Sequence, residues 1–348
     1  MIKKELHIID QNASIKTALE RLTALGLNLT LFIINEAQRL IGVITDGDIR
    51  RGLIKGIQLD QPVSLIMNKQ FKYLDENKYS FDVIEKLKAS SVKIIPVIDN
   101  EFRIIRIINI SLIKSILPVD AVIMAGGRGE RLMPLTRNKP KPMLEINGKP
   151  IIEHNIDLLA AYGIHNMIIS IHYLGDQIKS YFGNGSEKEI NISFICEDKP
   201  LGTLGALRQT NEYKYDDIIV MNSDLLTNIN LEDFYKTFKE ADADMAIATT
   251  GYNIAVPYAV LETYNSIVQS FKEKPTYTYF SSAGIYLIKR KYIEEIPEND
   301  FYNATDLISA LIGNGKKVIS FPILGYWLDI GRHEDYLKAQ EDFRHINF

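Results

Sequence analysis

A chain of 348 residues, 46% hydrophobic and 24% charged, has globular composition and room for two or three domains with cores of their own. Its 40 Lys and Arg against 44 Asp and Glu give a net charge of −4, without the basic footprint of a duplex-binding protein, so nucleic acid is excluded as a partner while local phosphate-binding clusters are not. A single cysteine, Cys196, excludes an intrachain disulfide, and with no signal-peptide core in MIKKELHIIDQNAS and no apolar run near the ~20 residues of a bilayer span, the chain reads as soluble and cytoplasmic.

Residues 1–117 contain an internal near-repeat. FIINEAQRLIGVITDGDIRRGL (32–53) matches PVIDNEFRIIRIINISLIKSIL (96–117) at an offset of 64. Each copy reads as an apolar strand ending in Asn or Asp, a turn, a second apolar strand and a polar helix start. An amphipathic helix precedes each copy. Ile15, Leu19, Leu22 and Leu25 recur at helical spacing in the first, and Val83, Ile84, Leu87 and Val92 in the second. The two units, approximately 1–58 and 59–117, are expected to pack together, because neither buries its sheet face alone.

This half resembles a tandem pair of α+β CBS modules, and GVITDGDIRR (42–51) carries the resemblance most strongly. In that family a Thr, and an Asp three residues later, hold an adenosine ribose at the strand-to-helix turn. Thr45 and Asp48 match that spacing, whereas the second copy has Asn109 and Leu112. A leucine accepts no ribose hydroxyl, so at most one cleft keeps the pattern. The resemblance implies an adenine nucleotide at Thr45 and Asp48, or else a pair that serves as an oligomerisation or docking surface. CBS pairs often dimerise, so a homo-oligomer is expected.

SILPVD (115–120) marks the boundary to a second domain, 118–348. Strand candidates lie at 121–125, 165–172, 189–196, 216–224, 243–250 and 282–288. Helical patterns fall at 153–163, 174–182, 204–210, 231–239 and 304–313. Strands alternating with helices predict an α/β domain, a mostly parallel, Rossmann-like sheet covered on both faces, with ligands at the carboxyl ends of its strands.

Gly126, Gly127 and Gly129 directly follow the first of these strands, where glycine lets the backbone approach a phosphate. The dinucleotide pattern G-x-G-x-x-G fails at Leu132, and no P-loop is present. Arg128, Arg131, Arg137, Lys139 and Lys141 come next, interrupted by Pro134, Pro140 and Pro142. Those prolines exclude a simple solvated helix and predict an extended arm around an anion, which a triphosphate would satisfy.

The full string MAGGRGERLMPLTRNKPKPML (124–144) resembles the signature of the sugar nucleotidyltransferase family, G-G-x-G-x-R-L-x-P-L-T-x-x-x-P-K-P, and fills every signature position. Later landmarks recur in order: EDKPLGTLGAL (197–207), NSD (222–224), FKEKP (271–275), SAGIY (282–286), ATDLI (304–308) and WLDIG (327–331). The resemblance covers essentially all of 119–348. It implies that Arg131 and Lys141 grip the triphosphate and the charge on the transferring phosphorus, and that Ala125, Gly126, Gly127, Gly129, Gly202 and Thr203 border the nucleotide. It implies Mg2+ at Asp224 and Asp329, and sugar phosphate contacts from Glu273, Lys274 and Ser282. The reaction expected is displacement at the α-phosphorus of a nucleoside triphosphate by a sugar 1-phosphate. Its nucleophile is already anionic, so positioning and charge neutralisation suffice.

In the family, the residue five before the glycine of the G-T-x-G segment faces the base edge, and here that is Glu197. A carboxylate only accepts hydrogen bonds. Guanine offers two adjacent donors, whereas uracil and thymine offer one donor flanked by acceptors, so GTP is expected. Uridylyl, thymidylyl or cytidylyl transfer, and a nucleotide-sensing regulator with an inactive transferase half, are the alternatives. Ser282 and Ala259 replace residues that border the sugar in relatives, which leaves the sugar open. A CBS pair joined to a guanylyltransferase-like domain resembles the glucosamine-1-phosphate guanylyltransferases of legionaminic acid synthesis, with GDP-glucosamine or GDP-mannose the type of product implied.

Overall fold

The computed structural model of the chain describes residues 3–26, 29–76, 81–90, 92–111 and 113–346. Leu112, the counterpart of Asp48 in the repeat, lies outside the described residues. The chain divides into two compact units, Met1–Ile116 and Leu117–Phe348.

In the first unit, β1 (Ile8–Asp10), α1 (Ile15–Ala24), β2 (Thr30–Ile34), β3 (Leu40–Thr45) and α2 (Asp46–Ile54) form one copy of the repeat. The other consists of β4 (Leu74–Asp75), α3 (Phe81–Lys88), β5 (Ile94–Ile98) and β6 (Ile104–Asn109). Each copy has a three-stranded sheet, one pair parallel and the hairpin antiparallel. Helix α1 starts where the Ser14 hydroxyl accepts from the Thr17 amide at 3.1 Å, and it buries Ile15, Ala18 and Leu22 against Leu31, Ile33 and Ile44. Phe32, Ile34 and Leu40 of the first copy share a core with Ile94, Ile98, Ile104 and Ile107 of the second. Each sheet therefore finds its apolar cover on the other.

Two expectations need correction here. Val83 is exposed rather than part of the buried stripe with Ile84 and Leu87. Among the described residues no helix follows β6 within this unit. Asn109 Oδ1 accepts from the Ser111 amide at 3.1 Å and its hydroxyl at 2.6 Å, and so turns the chain.

The second unit opens with β7 (Asp120–Ala125). Then come a short hairpin, β8 (Glu145–Ile146) and β9 (Lys149–Pro150), helix α4 (Ile151–Ala161), β10 (Asn166–Ile171), α5 (Gly175–Phe182) and β11 (Asn191–Cys196). After these lie β12 (Asp217–Asn222), β13 (Leu225–Thr227), α6 (Leu231–Glu240), β14 (Met245–Ala255), β15 (Val260–Tyr264), β16 (Ile267–Lys272) and β17 (Thr276–Lys289). The chain closes with α7 (Ala304–Gly313), β18 (Val318–Pro322), β19 (Trp327–Asp329) and α8 (His333–Asp342). Among the described residues no helix is long and apolar enough to cross a membrane.

Seven strands form the main sheet in the order β11-β10-β7-β12-β17-β14-β18. Four of its six pairings are parallel, and β17 runs antiparallel to both its neighbours. Strands β7, β10 and β12 are near-continuous apolar runs because they are covered on both faces. The chain moves outward from β7 to β10 and β11, then returns to β12 on the other side of β7. Ligands collect at such a reversal, beyond the carboxyl ends of the strands. The segment 204–210, expected as an α-helix, is a 3-10 turn over Gly205–Gln209. Its start is held by the Tyr302 carbonyl, which accepts from the Leu204 and Gly205 amides at 2.9 and 3.1 Å.

Candidate active site

Four parallel strand ends deliver the site. Ala125, Ile171, Cys196 and Asn222 close β7, β10, β11 and β12, so Gly126, His172, Glu197 and Ser223–Asp224 emerge at one edge of the sheet. A cavity of about 300 Å3 lies there. Gly126, Gly127, Lys141, Glu197, Gly202, Thr203 and Asp224 line it, all of them expected from sequence. Ala125 is buried at the strand end behind it.

The glycine loop is shaped by close approach. A Cβ on Gly126 would lie 2.9 Å from Glu197 Oε1, so glycine lets the loop rest against that carboxylate. Gly129 has φ +63°, and a Cβ there would meet the Cβ of Lys141 at 2.8 Å. The loop thus sits directly on the lysine. The Thr136 hydroxyl donates to the Gly129 carbonyl at 2.9 Å and ties the following arm back to the loop.

Lys141 is buried, and its ammonium bonds the carboxylate of Asp224 and stands 3.8 Å from Asp329 Oδ1. The two aspartates are brought together by the pairing of β13 with β19: Leu225 faces Asp329, and the Ile330 amide donates to the Asp224 carbonyl at 3.0 Å. Arg131 reaches the same corner, its guanidinium beside Gly331 and Asp329. Burial, and then the neighbouring Asp224 charge, push the Asp329 carboxyl above its ordinary range, while Lys141 and Arg131 pull it down. Asp224 Oδ1 and Asp329 Oδ1 are buried and accept no hydrogen bond among the described residues. Two adjacent carboxylates with spare buried oxygens fit a hard cation that takes its remaining ligands from phosphates and water. Among the described residues no group of three or more His, Cys, Asp or Glu is placed so that it could hold a metal ion, so the protein would supply two ligands and not a full cage.

Glu197 is buried against the cavity. Its Oε1 accepts from the Ser170 hydroxyl at 2.5 Å, and its Oε2 accepts from the Leu201 amide at 2.9 Å. The carboxylate is therefore fixed rather than turned to solvent, and each oxygen keeps a lone pair to offer. Gly202 and Thr203 are anchored to the start of α7, where the Thr203 hydroxyl accepts from the Ala304 amide at 2.7 Å.

The expected sugar-side residues are not brought into this cavity. Glu273 and Lys274 are exposed on the turn between β16 and β17, and Ser282 is exposed on β17 with its hydroxyl 2.9 Å from that of Tyr286. Sequence reasoning missed Phe301, a 57% exposed aromatic on the cavity wall, and Asn222 beside Asp224. Phe301 carries no pattern that separates it from other loop aromatics, whereas Asn222 could have been read from the NSD triplet.

In the N-terminal unit, Thr45 and Asp48 line a cleft of about 460 Å3 together with Phe32, Arg51, Phe71 and Lys93. The Thr45 amide and hydroxyl both donate to Asp48 Oδ2, at 2.8 and 2.6 Å, and Arg51 donates to Oδ1 at 2.5 Å. Both residues are thus already engaged in capping α2.

A family model described as nucleotidyl transferase matches residues 120–345, and one described as CBS domain matches residues 1–55. The mannose-1-phosphate guanyltransferase of Schizosaccharomyces pombe is 31% identical over 231 residues, 63% of this chain. The UTP–glucose-1-phosphate uridylyltransferase of a Synechocystis strain is 29% identical over 243 residues, again 63% of this chain. The match spans only 62% of the length of each of these relatives. Among solved structures, HddC from Yersinia pseudotuberculosis complexed with GMP-PN aligns with a TM-score of 0.51 at 29% identity, over 65% of this chain and 99% of that one.

Proposed function

We propose that this chain, which belongs to the nucleotidyl transferase family, moves GMP from GTP onto a hexose or amino-hexose 1-phosphate and releases pyrophosphate. The observation that carries the reading is the corner formed by Lys141, Arg131, Asp224 and Asp329 beneath the glycine loop. A phosphate oxygen of the sugar 1-phosphate forms a bond to the α-phosphorus as the bond from that phosphorus to the bridging oxygen breaks. Pyrophosphate leaves with the electron pair, and no proton need move. Lys141 and Arg131 neutralise charge where two polyanions meet, and the glycines at 126, 127 and 129 let the backbone come close to the phosphates. Asp224 and Asp329 would hold Mg2+, which supplies further charge neutralisation between the phosphates.

Guanine is the base this site fits best, since Glu197 presents a held, accepting carboxylate at the cavity wall. The guanyltransferase named above and the GMP-PN complex of HddC agree with that choice, while the uridylyltransferase keeps uridine as the alternative. Glu273, Lys274 and Ser282 are proposed for the sugar phosphate, with a GDP-glucosamine or GDP-mannose type of product. Pyrophosphate release with GTP, Mg2+ and a panel of sugar 1-phosphates tests the reading, and no turnover with any sugar would leave the regulator in its place.

For the N-terminal unit we propose an adenine nucleotide in the cleft at Thr45 and Asp48. AMP or ATP is expected to raise the melting temperature of the full chain, with affinity at least ten-fold lower in Asp48→Ala, the effect of a lost bond to a charged acceptor. Undiminished binding by that variant would count against the ribose site.

A further inference from the structure

The arm between the glycine loop and Lys141 is held in part by its own turns, the Leu135 and Arg137 amides donating to the Leu132 and Pro134 carbonyls at 3.0 and 3.2 Å. Pro134 and Pro140 remove backbone donors and the arm joins no ladder, so its remaining carbonyls need partners elsewhere. Three consecutive carbonyls find them on the segment that follows β10. The Tyr173 hydroxyl donates to the Arg137 carbonyl at 2.9 Å, with the Thr136 carbonyl at 3.4 Å, and Gln177 Nε2 donates to the Asn138 carbonyl at 2.9 Å. These bonds go to the main chain, so they fix where the arm runs without using the side chain of Arg137.

The same tyrosine faces the glycine loop. Its ring centroid lies 5.9 Å from the guanidinium carbon of Arg128, within cation–π range. One side chain therefore touches both halves of the grip, the loop through its face and the arm through its hydroxyl. Arg128 and Arg137 are placed relative to one another by a residue outside the signature string.

We propose that Tyr173 and Gln177 are positioning residues for triphosphate binding, setting the arm and Arg128 in place before the nucleotide arrives. The kinetic part rests on the nucleotidyl-transfer reading, whereas the clamp itself does not. In the full chain with GTP, Mg2+ and a turned-over sugar 1-phosphate, Tyr173→Phe keeps the ring and loses the hydroxyl. It should raise the KM for GTP roughly five-fold and leave the KM for the sugar phosphate and the melting temperature unchanged. Gln177→Ala should act similarly, and Tyr173→Leu, which also loses the face under Arg128, should cost about 20-fold. Amide hydrogen exchange over residues 133–142 in the free protein should be faster in both Tyr173→Phe and Gln177→Ala. Wild-type exchange in these variants would overturn the clamp whether or not the enzyme turns over. A KM for GTP unmoved in Tyr173→Phe, or a rise matched for both substrates, would overturn its role in triphosphate binding. Absence of turnover in the wild type would strike the transfer reading alone.

Discussion

Lys141→Met is expected to lower kcat/KM by about 10^3-fold, near the upper end of what one lost charge-stabilising donor costs. Lys141 has two duties that a neutral side chain cannot share. In the proposed reaction its ammonium would neutralise phosphate charge beneath the glycine loop, and it lies between two carboxylates that repel each other once it is gone. Lys141→Arg should recover little, because the loop rests directly on the lysine stem, where a Cβ at Gly129 would come within 2.8 Å of it. Steady-state kinetics against both substrates checks this, and a loss of less than ten-fold would remove Lys141 from the centre of the mechanism.

Glu197→Gln is expected to cost GTP roughly 10- to 100-fold in kcat/KM and to raise the relative rate with UTP or dTTP, the scale of one buried polar group left unpaired. The direction follows from the two bonds that hold the side chain. Leu201 offers only an N–H, so the amide oxygen must face it. The amide nitrogen then takes the place of Oε1 beside Gly126, where the Ser170 hydroxyl can turn to accept from it. A donor replaces an acceptor at that spot, which suits a pyrimidine carbonyl and opposes the guanine donors. Kinetics with four triphosphates measures the change, and an unaltered preference would show that the base is read elsewhere.

Much of the fold is visible in local chemistry. Valine- and isoleucine-rich runs mark β7, β10 and β12, and the near-repeat marks the paired sheets of the first unit, because burial on both faces leaves a continuous apolar string. The hairpin of β15 and β16 was not legible. Its strands are exposed along nearly their whole length, so burial imposes no pattern on them. The α-helix expected at 204–210 fails for a tertiary reason, the capture of the Leu204 and Gly205 amides by Tyr302, about a hundred residues away. Within the site, Gly126, Lys141 and Asp224 are readable because they fall in short motifs, Gly126 and Asp224 just beyond the ends of the adjacent strands β7 and β12 and Lys141 at the start of a 3-10 turn. Ser170, Phe301 and the Tyr173 clamp are not, since each acquires its role from a neighbour remote in sequence.

Competition resolves the central claim in a single vessel. Wild-type protein is given equal GTP, UTP, dTTP and CTP with Mg2+ and a mixture of glucosamine, mannose and glucose 1-phosphates, and the products are read by mass. A GDP-sugar formed in excess over every other nucleotide sugar, with one pyrophosphate per product, is the predicted result. A dominant uridine, thymidine or cytidine product would contradict the assignment of Glu197, and no nucleotide sugar of any kind would contradict the enzyme.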